Sequence, residues 1–222
     1  MIVAEQKPLA EIKASVAPYE KLLILGCGTC VKTCFAGGED EVASLASALR
    51  LAFKKDGRKI KIEEFTVERQ CEDEFIQEAA PAVERSNAVL SLACGAGVQD
   101  IASRFSNVPA LPGVNTTFIG ILEKPGLFIE ECSGCGDCKL ATYGGVCHVT
   151  RCAKQLFNGP CGGSRDGKCE VDSDTDCAWH LIIERLQALG QMDNIRHYIP
   201  PNDWRLSGGS GPRKLSRKDL VV

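Results

Sequence analysis

Short apolar runs and helical spacings alternate through the first half of the chain. Lys7–Tyr19 has the spacing of a short amphipathic lead-in helix. Lys21–Leu25 (KLLIL) is an unbroken apolar run that stops at Gly26, as expected of a strand buried on both faces. Glu39–Lys55 places Val42, Leu45, Ala46, Leu49 and Phe53 on one helical face. Lys59–Val67 alternates Ile60, Ile62 and Phe65 as a second strand. Glu72–Arg85 predicts a helix broken or kinked near Pro81. Ala88–Ala93 reads as a third strand, Val98–Phe105 as a short helix and Val108–Leu111 as a fourth strand.

Strands that alternate with helices predict βαβ units and a parallel sheet. The fold expected is therefore α/β: a small parallel-sheet, Rossmann-like N-terminal domain over residues 1–122. Short strands are expected within Asn115–Gly120 and Ile129–Ser133. From Cys132 to Cys177 the periodic apolar positions thin out, and cysteine, glycine and polar residues take over. Ala178–Leu189 returns to helical spacing. Residues 123–190 thus read as a cysteine-rich, cluster-stabilised domain with a final helix. Residues 191–222 read as an extended tail whose end, Ser207–Lys218, is flexible and basic. So little hydrocarbon in 132–177 cannot fold on packing alone, and metal binding would supply the missing free energy.

Composition sharpens this picture at one point, the 13 cysteines among 222 residues. A net charge of −3 gives no general attraction to nucleic acid. No apolar stretch reaches the length of a membrane span, and MIVAEQKPLAEIKAS has no secretory pattern. The expected location is cytoplasmic, where thiols stay reduced and cysteine richness points to metal or catalysis rather than disulfides. An odd count would also leave one thiol outside a full disulfide set.

Cys27, Cys30 and Cys34 follow the first strand, Cys71 the second and Cys94 the third. All five fall just past a carboxyl end, where parallel sheets bind their ligands. They make five candidates for one four-thiolate site, with Gly26, Gly28 and Gly95 giving tight turns beside them. Cys132-x2-Cys135-x2-Cys138 matches the first three ligands of a bacterial ferredoxin, without the fourth cysteine three residues on. Cys147, Cys152, Cys161, Cys169 and Cys177 bring that group to eight thiols, enough for two four-thiolate sites. Two or three 4Fe–4S clusters are the expected cofactors. Zinc, which four thiolates hold equally well, is the rival, above all for the widely spaced Cys152–Cys177 group.

Other signals are weak. Gly26–Gly28 is an incomplete dinucleotide fingerprint. His148 beside Cys147 is a packing or hydrogen-bonding residue before it is a ligand. No hydrolase order of Ser, His and Asp and no HExxH occurs, so no catalytic residue is assigned.

LILGCGTCVKTCFAGG, VERQCEDEF, SLACGAG, CGDC, CAKQLFNGPCGG, GKCEV and DCAW together resemble the small subunit of MetV-type methylenetetrahydrofolate reductases, from about Tyr19 to Trp204. His148 departs from the pattern where proline is expected. The resemblance implies an electron-transfer subunit that does not itself catalyse, with these cysteines as ligands of iron–sulfur clusters and of zinc in place of one. It implies a flavin-containing TIM-barrel large subunit, carrying FMN or FAD, that reduces methylenetetrahydrofolate to methyltetrahydrofolate. It further implies ferredoxin or a larger redox complex as donor, within one-carbon metabolism such as the Wood–Ljungdahl pathway. The competing reading is a zinc-folded scaffold for the flavoprotein with no redox role.

Overall fold

A computed structural model describes residues 1–207, 212–217 and 219. The chain divides into two compact units, Met1–Ile129 and Glu130–Val222.

The first unit is mixed α/β. Its parallel sheet contains β2 (Lys21–Cys27), β3 (Lys61–Val67), β4 (Ala88–Ser91) and β5 (Ala110–Pro112), in the order β3-β2-β4-β5. β1 (Ile2–Gln6) lies outside that sheet and pairs antiparallel with β6 (Val114–Lys124), next to β7 (Leu127–Cys132). β2 is central because both its faces are apolar. Leu22 and Ile24 enter one core with Val42, Leu49 and Phe53 of α3 (Glu39–Lys55) and Ile12 of α1 (Leu9–Val16). Leu23 and Leu25 enter a second core with Ile76 and Val83 of α4 (Asp73–Glu84) and Ile101 of α5 (Gly95–Arg104). At about 1.5–3 kcal/mol per fully buried aliphatic side chain, this strand anchors the unit.

Several details differ from the expected ones. β1 was unforeseen; its five residues carry only a weak alternation, and the pairing with β6 defines it. α4 runs unbroken through Pro81, which faces solvent, so water can serve the carbonyl that proline leaves unpaired. α5 starts at Gly95, directly after Cys94. The two compact units divide at 129/130, inside β7.

The second unit has little regular structure: α6 (His148–Arg151), α7 (Ala178–Ala188) and two short 3₁₀ turns. Its core contains Tyr143, Cys177, Trp179, Ile182, Leu186 and Ile199. Side chains tie the loops to it. Trp179 Nε1 donates to Leu156 O at 3.0 Å, and the Tyr143 hydroxyl donates to Phe157 O at 2.9 Å. Asn158 joins Ile199 by two bonds, 3.0 and 2.8 Å. The tail expected at Ser207–Lys218 includes residues 208–211 and 218, which lie outside the described set. Among the described residues no helix is long and apolar enough to cross a membrane.

Candidate metal centres

The structure gathers the thirteen cysteines into three neighbourhoods, and all thirteen are free thiols. The first is at the carboxyl ends of β2, β3 and β4. Cys27 is the last residue of β2. Cys30 opens the one-turn helix α2 (Cys30–Thr33) and Cys34 follows it. Cys71 sits in the loop before α4, and Cys94 caps the N-terminus of α5. Cys71 is held above the usual thiol range, first by the protein packed around it and then by its neighbours Cys27 and Cys94. Cys34 is buried and also raised, chiefly by burial; its Sγ donates to Ile2 O of β1 at 3.6 Å.

The second neighbourhood is a cavity of about 200 Å³ whose lining includes Cys132, Cys135, Cys138 and Cys147. The turn Cys132–Cys138 can wrap it because Gly134 and Gly136 take positive φ, 64° and 84°. The wrap directs backbone donors at sulfur: Gly134 N–H donates to Cys132 Sγ at 3.4 Å, and Thr150 N–H donates to Cys147 Sγ at 3.4 Å. Lys139, in the same lining, pairs with Asp137 at 2.6 Å and holds that carboxyl below its usual range. Leu206 packs against the Cα of Gly136 and covers the turn. His148 is buried between Tyr143 and Phe157, lines the cavity, and its Nε2 has no partner among the described residues.

The third neighbourhood includes Cys152, Cys161, Cys169 and Cys177 in the lining of one cavity, with Trp179 as a wall. This cavity is about 20 Å³, close to the space of a single water. Cys177 is the N-cap of α7, and its N–H donates to Gly167 O at 2.7 Å; Cys169 N–H donates to Thr175 O at 2.9 Å. These bonds fold the cysteine-bearing loop back on the helix.

Among the described residues no three Cys, His, Asp or Glu side chains are gathered closely enough to chelate one ion. Tetrahedral zinc with bonds of about 2.3 Å needs its sulfurs roughly 3.8 Å apart. A cubane gives each thiolate its own iron and spreads them farther. The 200 Å³ cavity, the four thiols in its lining and its N–H···S bonds fit a cluster. The 20 Å³ cavity fits one ion once its side chains rotate inward.

The division of the eight later cysteines into two groups of four was open in the sequence. Spacing alone could not show that Cys147 turns back to the Cys132–Cys138 loop while Cys152 turns away. Sequence reasoning also passed over Gln70 and Ser91, which are fully buried at the first neighbourhood. A serine inside the apolar run AVLSLA was the available signal.

This is an α/β unit followed by a loop-rich, cysteine-rich unit. Residues 111–205, a little under half of the chain, match the family model described as methylene-tetrahydrofolate reductase C terminal. That region is related to methylenetetrahydrofolate reductase and contains all eight cysteines from Cys132 to Cys177. No curated protein and no solved structure matches the chain.

Proposed function

We propose that this chain is the iron–sulfur electron-transfer subunit of a methylenetetrahydrofolate reductase complex, passing electrons to or from the flavin of a catalytic partner. One observation carries the reading: within the region matching the reductase family, eight cysteines separate into two sets of four, each around its own cavity. Cys132, Cys135, Cys138 and Cys147 would hold a 4Fe–4S cluster, which supplies one-electron storage when bound. The chain's own part is electrostatic and steric. Gly134 N–H and Thr150 N–H donate to the Cys132 and Cys147 sulfurs, which stabilises negative charge on them. Tyr143 and Phe157 pack on His148 at the cavity wall, and Leu206 lies against Gly136 of the loop. Flavin and folate binding are assigned to the partner, a FMN- or FAD-bearing large subunit, with ferredoxin or a larger redox complex as donor.

The size of the second cavity favours zinc at Cys152, Cys161, Cys169 and Cys177 over another cluster. The rival reading of the whole chain is a zinc-folded scaffold for the flavoprotein. Anaerobic purification with metal analysis and EPR separates them. The expected result is brown protein bleached by dithionite, about four iron per cluster site, and one zinc lost in Cys169→Ser. Cys135→Ser should lose one cluster signal and abolish ferredoxin-linked methylenetetrahydrofolate reduction on reconstitution with the flavoprotein. Colourless, iron-free protein from a host with working cluster assembly refutes the electron-transfer reading.

A further inference from the structure

An imidazole stands in the wall of the cavity whose lining includes Cys132, Cys135, Cys138 and Cys147. His148 opens α6 directly after Cys147 and is 3% exposed. Its backbone is set by the Cys147 cap: Thr150 N–H donates to Cys147 Sγ at 3.4 Å, and Arg151 N–H donates to Cys147 O at 3.1 Å. Its ring is set by two aromatic neighbours. The Tyr143 ring lies 4.3 Å away between centroids, tilted by 49°, and the Phe157 ring lies 4.4 Å away at 68°. The Tyr143 hydroxyl is committed to Phe157 O at 2.9 Å, and Trp179 stands edge-on to the Tyr143 ring at 5.7 Å. The core of the second unit thus anchors the clamp that holds the imidazole.

His148 Nε2 is buried and has no hydrogen-bond partner among the described residues. A buried, unpaired polar atom costs about 1–3 kcal/mol, and a phenylalanine would fill an aromatic clamp without that cost. Such an atom calls for a partner that the protein itself does not supply. The clamp offers only aromatic rings. The charged side chains that share the cavity lining are committed elsewhere: Lys139 to Asp137 at 2.6 Å, and Glu131 to Arg151 at 2.7 Å. What remains beside the imidazole is the group that fills the cavity.

The donor set decides the role of Nε2 toward that group. Four thiolates complete the ligand set of a cubane, which leaves the imidazole over as a ligand. Thiolate and sulfide sulfurs are acceptors, so their complement is an N–H. An imidazole carries a hydrogen on Nε2 in one neutral tautomer and in its charged form.

We propose that His148 Nε2 donates a hydrogen bond to a sulfur of the cluster held by Cys132, Cys135, Cys138 and Cys147, and that this bond raises the cluster's reduction potential. The inference rests on the proposed function, which places a cluster in this cavity. Reduction adds one electron to the cluster, and a donor aimed at sulfur stabilises that added charge more than it stabilises the oxidised form. The proton stays on Nε2 in both states.

The test uses the full-length chain, purified anaerobically, with the cluster's potential read by EPR-monitored titration at one pH. In a His180→Gln, His197→Gln background His148 is the sole histidine, and isotope-labelled histidine makes its nitrogens visible to pulsed EPR of the reduced cluster. The expected spectrum has the weak coupling of a hydrogen-bonded, non-ligating nitrogen, and a coupled proton that exchanges in heavy water. His148→Phe keeps a ring in the clamp and removes the donor. At a fixed poise its ratio of reduced to oxidised cluster should fall about tenfold, a drop of about 59 mV for one electron. His148→Gln, which keeps an N–H, should recover most of that ratio. Iron counts and Trp179 emission matching the unaltered protein accompany each variant; should His148→Phe misfold, the labelled spectrum decides alone. An unchanged potential in His148→Phe overturns the proposal and leaves the cluster reading standing. The strong coupling of a directly bound nitrogen makes His148 a ligand and overturns it equally. A potential shift that His148→Gln fails to reverse assigns the ring to packing alone and also overturns it. Iron-free unaltered protein overturns this inference together with the proposed function.

Discussion

Stripping metal from the whole chain under anaerobic, reducing conditions should unfold the second unit and leave the first one standing. The first unit packs twenty-one buried residues on one side of its parallel sheet and nine on the other. The second unit's core contains six, one of them Cys177 itself. Folding must overcome conformational entropy in every residue, and so small a core cannot order the long loops around it. A four-thiolate zinc site contributes on the order of 10–16 kcal/mol of apparent binding free energy, more than the whole stability of a typical domain. Both tryptophans, Trp179 and Trp204, lie in the second unit, so emission reports on that unit alone. Trp179 is 2% exposed and bonded to Leu156 O; on stripping, its emission should shift to the red of solvated indole. Far-UV circular dichroism should fall only modestly. α6 and α7 hold 4 and 11 helical residues, against 8, 4, 17, 12 and 10 in the helices of the first unit. Blue, unshifted Trp179 emission after complete metal removal refutes the claim that metal folds this unit. Concerted loss of the first unit's helix signal refutes the claim that packing alone folds that one.

Gly37→Ala places a methyl 2.0 Å from Leu92 O, so the loop after α2 must move. Chemical denaturation should show the first unit destabilised by about 1–3 kcal/mol with the second-unit metal signals intact. Tyr143 is fully buried, and burial pushes its phenol up to about 12 from an ordinary 10. The folded state thus favours the neutral phenol. Its contribution is fully present below pH 10 and drains away as pH rises from 10 towards 12. Tyr143→Phe should flatten that alkaline slope in denaturation curves while costing about 1–3 kcal/mol at neutral pH, because Phe157 O loses its donor. Gly136→Ala combines a φ of 84° with a Cβ 2.7 Å from Leu206 Cβ, at a strain of about 1–2 kcal/mol. It should lift Leu206 from the Cys132–Cys138 turn and speed loss of the cluster's visible absorption in air, several-fold against the unaltered protein.

Elements with strong periodicity were legible before the structure. α3 spans Glu39–Lys55 as its apolar spacing predicts, and β2 was marked by KLLIL because burial on both faces needs an unbroken run. β1 was not legible: Ile2–Gln6 becomes a strand through pairing with Val114–Ile119, more than a hundred residues away. The three cysteine loops were readable from their places after apolar runs. Their ligand partition was not, since it depends on which way each loop turns. Cys30 and Cys34 are four residues apart and nearly equivalent in the sequence, but the Cys34 thiol is buried and donates to Ile2 O of β1, whereas Cys30 is partly exposed.

The two units hold thiols by opposite means, and the difference has a functional consequence. At the ends of β2, β3 and β4 the cysteine-bearing loops are fixed by strand pairing and by Gln70, whose amide donates to Leu25 O and accepts from the Ser91 hydroxyl. In the second unit glycines at positive φ and a few side-chain bonds shape the loops, and on the proposed reading metal would provide most of the order. Because Cys147 and Cys152 bracket the short helix α6 and serve different cavities, metal in either cavity helps to set the chain for the other. Loading of those two sites should therefore be cooperative: Cys169→Ser, which touches only the smaller cavity, should also weaken cluster retention at Cys132–Cys147. Loading at Cys27–Cys94 should be indifferent to it. Iron and zinc counts across partially loaded samples distinguish this coupling from three independent sites, for which Cys169→Ser would leave the iron of the other cavity unchanged.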